Sequence, residues 1–498
     1  MNEPRQRTTL WHRTGPSIAT STPDDLGDRD AIVVGAGITG LTAAVLLARS
    51  GMRTAVLEAG TVGALTTGGT TGKLSLLQGT VFSEIREHAG EDVLQAYAEA
   101  NRQGQAWLLR LLEGRGVEQR TAYSLAQTEE GLETLDAELT AARSVGIDAE
   151  RVADAGVPFD IAGALRLFDQ AQLHPMIVLE ALVAELRERG GVIIEGCRVH
   201  AAAVDGDTVQ LDTSMGEREA PLCILATGMP VLDRGMFFAR LEPTRSIVAA
   251  YRTQSRPEGM HVTVDDPYRS LRTAEGVDGE PLLLVGGGAH ITGRGGSLLA
   301  ELDLIDAWTA QHWPGAERES SWAAQDYRAH SRVPFAGPLP GGGERIFAAT
   351  GFNAWGMTNS VAAAQAMVSH ALDGRNDWAE TLREHGTSVA TATAATRANA
   401  AVAGRLAGGW IPLDFVRPCD PSTLEEGEGV ITRAGLAPVA ISRVDGEVRR
   451  VSGICPHMGG VLRWNDLETS WDCPLHGSRF TADGTRIEGP AVDDLEPR

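Results

Sequence analysis

Solid apolar runs and longer periodic ones alternate along this chain, and their order predicts a layered α/β body. Asp30-Ala-Ile-Val-Val34 reads as a buried strand, followed by a glycine-rich turn, a helical run from Leu41 to Arg49 and a second strand from Thr54 to Leu57. From Glu91 to Glu113 the period is helical, with Leu94, Leu108, Leu111 and Leu112 on the core face. Gln172-Leu-His174-Pro175 leads into a helix from Met176 to Arg189, after which Val192 to Ile194 returns to strand and Val199 opens the next segment. Leu222-Cys-Ile-Leu-Ala-Thr227-Gly228 is another buried strand ending in a glycine turn. Residues 235–320 alternate strand-like stretches, Ile247 to Tyr251 and Leu282 to Val285 among them, with turns, which predicts a second sheet. The stretch from Phe347 through Thr350-Gly351 to Trp355-Gly356-Met357-Thr358 precedes an alanine-rich helix from Val361 to Leu372. Residues 1–29, rich in Thr, Pro and Asp, read as an extended arm, and residues 373–412 as a helical connector.

Composition narrows this picture. A chain of 498 residues has room for about three domains. Its net charge of −22 argues against nucleic acid or an anionic membrane as partner. No apolar run reaches membrane-spanning length, and no apolar segment follows the first residues, so the expectation is a cytoplasmic protein without a membrane span. Cys197, Cys223 and Cys419 show no pairing pattern, which agrees with a reducing compartment. Lysine occurs once among 44 basic residues, at Lys73, inside the loop Gly68-Gly-Thr-Thr-Gly-Lys73. A lone ammonium in such a loop, able to shift its pKa on burial, is a candidate site residue.

Two patterns carry chemistry. Gly35, Gly37 and Gly40 stand between strand and helix as a pyrophosphate-binding turn requires, and Glu58, at the end of the next strand, is placed to accept from a ribose diol. This order specifies a dinucleotide and leaves FAD and NAD open. Near the other end, Cys455-Pro-His457 and Cys473-Pro-Leu-His476 each supply one thiolate and one imidazole. A Cys2His2 zinc finger groups its cysteines and its histidines separately. Alternation suits a two-iron cluster with both cysteines on one iron and both histidines on the other.

The second pattern resembles the Rieske [2Fe–2S] motif. The glycine turn, Ile224 to Gly228 and the segment Thr350-Gly351 to Thr358 together resemble the D-amino-acid oxidase / glycine oxidase / sarcosine oxidase superfamily of FAD enzymes, in its branch fused to a Rieske domain. Thr70-Thr-Gly-Lys73, Gly287 to Gly293 and Trp322-Ala-Ala-Gln325-Asp326 are similar to stretches of that branch. The resemblance implies an α/β fold with a Rossmann-like, glutathione-reductase-type FAD domain, an antiparallel substrate sheet and a small all-β Rieske domain. It divides the chain into an arm (1–29), the oxidoreductase (30–372, with FAD parts near 30–85, 160–230 and 321–372 and substrate parts near 86–159 and 231–320), the connector (373–412) and the Rieske domain (413–498). It also assigns FAD contacts to Gly35, Gly37, Ile38, Thr39, Gly40, Glu58, Ala59, Thr70, Thr71, Lys73, Val199, Thr227, Gly228, Gly351, Gly356, Met357 and Thr358. Cys455, His457, Cys473 and His476 become the cluster ligands.

Respiratory Rieske proteins carry a disulfide at the positions of Gly460 and Leu475 and a tyrosine at that of Phe480, leaving Ser478 as the side-chain donor here. Fewer donors predict a potential in the middle or lower part of the range from roughly −150 to +300 mV.

The implied activity is oxidation of an amine or amino acid, with hydride passing to flavin N5 and single electrons passing through the cluster to an external acceptor. Lys73, His290 and Trp355 are the candidates beside the flavin, and Arg245 and Arg332 are candidate clamps for a substrate carboxylate. The alternatives are a reductase taking electrons from an external donor for a partner enzyme, and a non-catalytic electron carrier. A nicotinamide reductase would carry a second G-x-G-x-x-G, which Gly286-Gly-Gly288 and Gly341-Gly-Gly343 do not supply. A Rieske oxygenase would need closely spaced histidines for a mononuclear iron, and the twelve histidines include no such pair.

Overall fold

The computed structural model describes residues 9–386, apart from 233, 235 and 236, and residues 420–498, apart from 436. The solid apolar runs become the middle of a six-stranded sheet ordered Phe335–Pro338, Ile346–Thr350, Leu222–Leu225, Ala31–Val34, Thr54–Leu57 and Val192–Ile194. All neighbours are parallel except the edge strand Phe335–Pro338. A strand buried on both faces has no polar side, and Ala31–Val34 shows why. Ala31 and Val33 join the core beneath the helices, whereas Ile32 and Val34 join the core on the opposite face, with Val209 and Leu211 of an antiparallel three-stranded sheet. Helices Ile38–Arg49, Pro175–Glu188 and Gly356–Ala371 cover the first face.

A larger mixed sheet lies against this layer. Its strands run Glu317–Ala329, Leu241–Arg252, Pro281–Ile291, Ser270–Glu275, Met260–Thr263, Val117–Ala126, Gly163–Leu173 and Lys73–Leu74, with Glu150–Val152 beside Gly163–Leu173. Alternation again sorts the side chains. Val248, Ala250 and Leu284 face the dinucleotide-type layer, and Ile247, Ala249 and Val285 face helix Leu298–His312. The predicted strands and helices are present, with ends displaced by a few residues. Helix Leu298–His312, capped by Ser297, lies where only strands and turns were expected. Gly163–Leu173 and residues 321–329 belong to the large sheet, the first through its pairing with Val117–Ala126 and the second because Glu317–Ala329 pairs with Leu241–Arg252 along its whole length. The described part of the N-terminal arm is not simply extended. Leu10–Thr14 is helical, and Leu10 and Trp11 are fully buried, Trp11 packing edge-on against Trp322. Of the expected connector, helix Asp377–Gly386 is described, and residues 387–419 lie outside the described residues.

The C-terminal module is all β. A three-stranded sheet (Gly429–Ala434, Ala437–Val444, Glu447–Ser452) and a four-stranded one (Arg463–Asn465, Ser470–Asp472, Arg479–Thr481, Arg486–Glu488) enclose Trp471, Phe480 and Leu475. Among the described residues no helix is long and apolar enough to cross a membrane.

Candidate cofactor sites and their junction

The turn after Ala31–Val34 is shaped by close approach. A Cβ on Gly40 would lie 2.0 Å from the Gly35 carbonyl oxygen, and one on Gly35, at φ +105°, 2.5 Å from that of Ala226. Gly37 is the N-cap of helix Ile38–Arg49 and supplies no capping side chain, so the positive helix end is presented to the turn. Ile38 N donates to Thr67 Oγ1 at 3.2 Å, tying that end to the following loop, and Thr39 is buried beside it. Glu58 accepts from the amides of Ala36 (2.8 Å) and Gly60 (2.7 Å), with Ala59 between; burial pushes its pKa up against those donors. Cys197 N donates to the Glu58 carbonyl at 2.8 Å, which brings Val199 near the same strand end. Ala226 N bonds the Val34 carbonyl at 2.8 Å, so Thr227 and Gly228 follow directly at the tip of the sheet. The uncapped helix end, the half-buried acid and the glycine-rich turn fit an FAD diphosphate and ribose.

Gly351 closes strand Ile346–Thr350, and Gly356, Met357 and Thr358 form the first turn of Gly356–Ala371, another helix without a capping side chain. Its start is fixed by a buried network that sequence reading missed. Thr358 Oγ1 donates to Asn101 Oδ1, Gln78 Nε2 donates to both (3.2 and 3.1 Å), Tyr97 Oη donates to Gln78 Oε1 (2.7 Å), and Asn359 Nδ2 donates to Tyr97 Oη (3.0 Å). Its members come from separate segments, and no local motif marks them. Thr70 and Thr71 present their carbonyls to Trp11 Nε1 and Arg272 Nη1, both at 2.6 Å.

Lys73 is buried and donates to Ser270 Oγ; burial, then the Arg272 charge, lowers its pKa to about 7. Trp355 is half-buried at the helix start, and the preceding Ala354 N donates to the Asp326 carboxylate, whose pKa burial raises to about 6. The structure does not bring His290 to Lys73. It pairs with Arg245 on the sheet face of Ile247 and Ala249, whereas Ser270 pairs with Gly286 on the face of Val248. His290 Nδ1 lies 2.8 Å from its own strand's Gly288 carbonyl.

The two Cys/His loops of the C-terminal module close in the same way. Cys455 N donates to the Gly460 carbonyl (2.8 Å) and Gly459 N to that of Cys455 (3.0 Å), matched by Cys473 N to Ser478 (2.8 Å) and Gly477 N to Cys473 (3.1 Å). The thiols of Cys455 and Cys473 touch, and the rings of His457 and His476 stand 5.2 Å apart at 83°. The Cys473 contact, together with the amides of His457 and Met458 and the Ser478 hydroxyl, outweighs burial and holds the Cys455 thiol below its ordinary range. Burial lowers His476 to about 3, favouring the neutral imidazole that binds metal. Among the described residues no three His, Cys, Asp or Glu side chains gather as one ion would require. The four divide into a thiol pair and an imidazole pair, the division a [2Fe–2S] unit with two ligands per iron needs. A Cβ on Gly460 would lie 2.8 Å from Leu475 Cδ1 and 3.1 Å from Cys473 Sγ, so Leu475 fills the space where the resemblance puts the disulfide of respiratory Rieske proteins.

The model of the DAO family, FAD-dependent oxidoreductases, matches residues 30–370, and that of the Rieske [2Fe–2S] domain matches residues 414–497. This chain belongs to the DAO family of FAD-dependent oxidoreductases and carries a Rieske domain. Over 94% of the chain it is 30% identical to YhfW of Bacillus subtilis (strain 168), named as a Rieske 2Fe–2S iron–sulfur protein, covering 92% of that protein. The fold matches glycine oxidase from Geobacillus kaustophilus (TM-score 0.60, 19% identity, 70% of this chain and 96% of that one). It also matches an L-amino acid deaminase from Proteus vulgaris (TM-score 0.59, 16% identity, 74% and 96%). The oxidoreductase domain binds FAD and the Rieske domain a [2Fe–2S] cluster.

In this oxidoreductase the large sheet grips the Rieske domain. Arg294 Nε donates to the Pro474 carbonyl (2.6 Å) and Gln325 Nε2 to that of Gly477 (3.0 Å). Asp466 of the Rieske domain accepts from Leu298 N at 2.9 Å at the start of helix Leu298–His312. Arg245 is 1% exposed and bonds Glu488 (3.0 Å) and Glu468, while Arg479 bonds Asp472 (3.0 Å) and the same two glutamates (2.8 and 3.0 Å). The expected carboxylate clamps are therefore engaged within the chain. Arg245 holds two glutamates of the Rieske domain, and Arg332 pairs with Glu84 at 3.1 Å.

Proposed function

We propose that this chain oxidises a small amine or amino acid beside FAD and delivers the electrons one at a time, through the Rieske cluster, to an external one-electron carrier protein. The observation that carries the reading is the junction: the sheet that holds Lys73 and Ser270 also holds, at its edge strand Glu317–Ala329, the loop of cluster ligands Cys473 and His476. Bound FAD supplies a hydride acceptor at N5, and the bound cluster a one-electron acceptor.

The chain's own residues supply the rest. A substrate amine must lose its ammonium proton before its α-carbon can release hydride, and Lys73, with a pKa near 7, can take that proton at Nζ. Burial of Lys73 and the buried network beneath Gly356–Ala371 keep water from this face. The uncapped start of Gly356–Ala371 presents a positive end suited to an anionic reduced ring. Structural neighbours named for glycine and L-amino acids support the substrate class. Next to His457, which is half-buried and lines a cavity with Met229, Leu232 and Phe237, Met458 is 42% exposed, an edge from which a carrier can take the electron.

Anaerobic titration of the holoenzyme against a panel of amines and amino acids tests the reading, with NADH and NADPH as controls. Flavin bleaching by an amine supports it. Bleaching by a nicotinamide alone would reverse the flow and make the chain a reductase.

A further inference from the structure

Gln325 is 1% exposed on strand Glu317–Ala329, and its polar atoms are engaged on both sides of the strand. Its carbonyl accepts from Thr66 Oγ1 at 2.6 Å. Thr66 opens the helical turn Thr66–Gly69, in which Thr67 Oγ1 receives Ile38 N from the start of the FAD-binding helix. Its side-chain Oε1 accepts from Thr292 Oγ1 at 2.7 Å, while Nε2 donates to Tyr327 Oη at 2.9 Å and to the Gly477 carbonyl at 3.0 Å. That last bond fixes the sense of the amide, because the reverse orientation would set two oxygens against each other. Gly477 follows the cluster ligand His476, and a Cβ on Gly477 would lie 2.5 Å from Pro243 and 3.1 Å from Gln325 Nε2. One residue thus links the two sides, its main-chain carbonyl held by the FAD-side loop and its side-chain amide holding the carbonyl of Gly477, next to His476, which is itself 1% exposed.

We infer that Gln325 is a positioning residue for internal electron transfer, setting the FAD-side loop against the His476 loop so that electrons enter the cluster on the His476 side. This rests on the flavin-to-cluster direction proposed above. With both groups bound, the reduced flavin would give up its two electrons in two successive one-electron steps, each turning one ferric iron of the cluster ferrous. A one-electron carrier protein removes the first electron before the second follows.

The test uses the holoenzyme and needs no amine. FAD is photoreduced by a flash under anaerobic conditions with EDTA as donor, and the flavin and cluster bands are followed separately. In Gln325→Leu, FAD and iron contents and the flavin photoreduction yield are expected to stay unchanged. The flavin-to-cluster rate is expected to fall by at least about tenfold, with a shifted EPR g-tensor for the reduced cluster. Thr66→Val, which cuts the same link from the other side, is expected to slow transfer as well and serves if Gln325→Leu does not fold. Asp466→Ala removes a junction contact away from the ligand loop and is expected to leave the rate unchanged. Transfer within twofold of the parent in both Gln325→Leu and Thr66→Val would overturn the assignment, as would equal slowing in Asp466→Ala. An error in the substrate class would leave these results untouched, so the two readings fail separately.

Discussion

Replacing Arg245 by methionine tests the junction most severely. Arg245 and Arg479 carry two positive charges into a buried group with three carboxylates, those of Glu468, Asp472 and Glu488. The substitution raises the excess of carboxylates from one to two and leaves Glu488, 9% exposed, with Arg479 alone. Breaking a buried pair by removing one partner costs about 3–5 kcal/mol. Glu468 can recover some hydration at the edge, so the lower end, about 3 kcal/mol, applies, which is roughly a hundredfold in the docking equilibrium. Urea unfolding of the holoenzyme, followed through the visible circular dichroism of the cluster, should show a lower midpoint with an unchanged slope. Adding Glu488→Gln should restore part of the loss, because the orphaned charge is gone. The pH dependence has a definite sign. Burial raises Asp472, but Arg479 and then Arg245 outweigh it and hold the carboxyl below its ordinary range. Its contribution is therefore present above about pH 4 and disappears as pH falls through the depressed value. Arg245→Met should begin to unfold at a higher pH than the parent. A loss below about 0.5 kcal/mol, as for an exposed pair, would refute the reasoning.

Gly40→Ala places a methyl group 2.0 Å from the Gly35 carbonyl oxygen, and purified protein should lack flavin absorbance while retaining the cluster spectrum. Cys473→Ser should do the reverse, with FAD bound and bleached by substrate and the Rieske EPR signal lost. For Lys73→Met two readouts move in opposite directions. A lysine lowered from 10.5 to about 7 binds its proton more tightly when unfolded, so stability rises with pH between those values. The variant should flatten that rise and gain stability at pH 7 by urea unfolding, while flavin bleaching by an amine slows by about 10²- to 10⁴-fold.

Much of the site was legible because its signals are local. Ala31–Val34 and the three glycines were readable since a both-face strand has no polar positions and close backbone approach tolerates no side chain. The two Cys/His loops were readable because each carries its own Cys and His, closed by bonds within six residues. What was not legible depends on distant partners. Arg245 looked like a substrate clamp because nothing in its neighbourhood names Glu468 and Glu488, more than 200 positions away. His290 sits in a glycine-rich strand of the large sheet, and only the observed register assigns it to the face away from Ser270. Helix Leu298–His312 was hidden because its apolar residues spread around the axis, several of them turned outward, with Leu304 58% exposed. Gln325 and Asp326 are adjacent in sequence yet serve opposite faces of one strand, a division set by pairing with Leu241–Arg252.

The central claim is that the two cofactors form one internal path from an amine to the cluster. Rapid anaerobic mixing of the holoenzyme with its amine substrate, reading the flavin and cluster bands and freezing samples for EPR, tests it most directly. The account predicts loss of the flavin band first, then bleaching of the cluster band with growth of a reduced Rieske signal at one electron per chain. Flavin that bleaches and recovers only on admission of oxygen, with the cluster oxidised throughout, would contradict it.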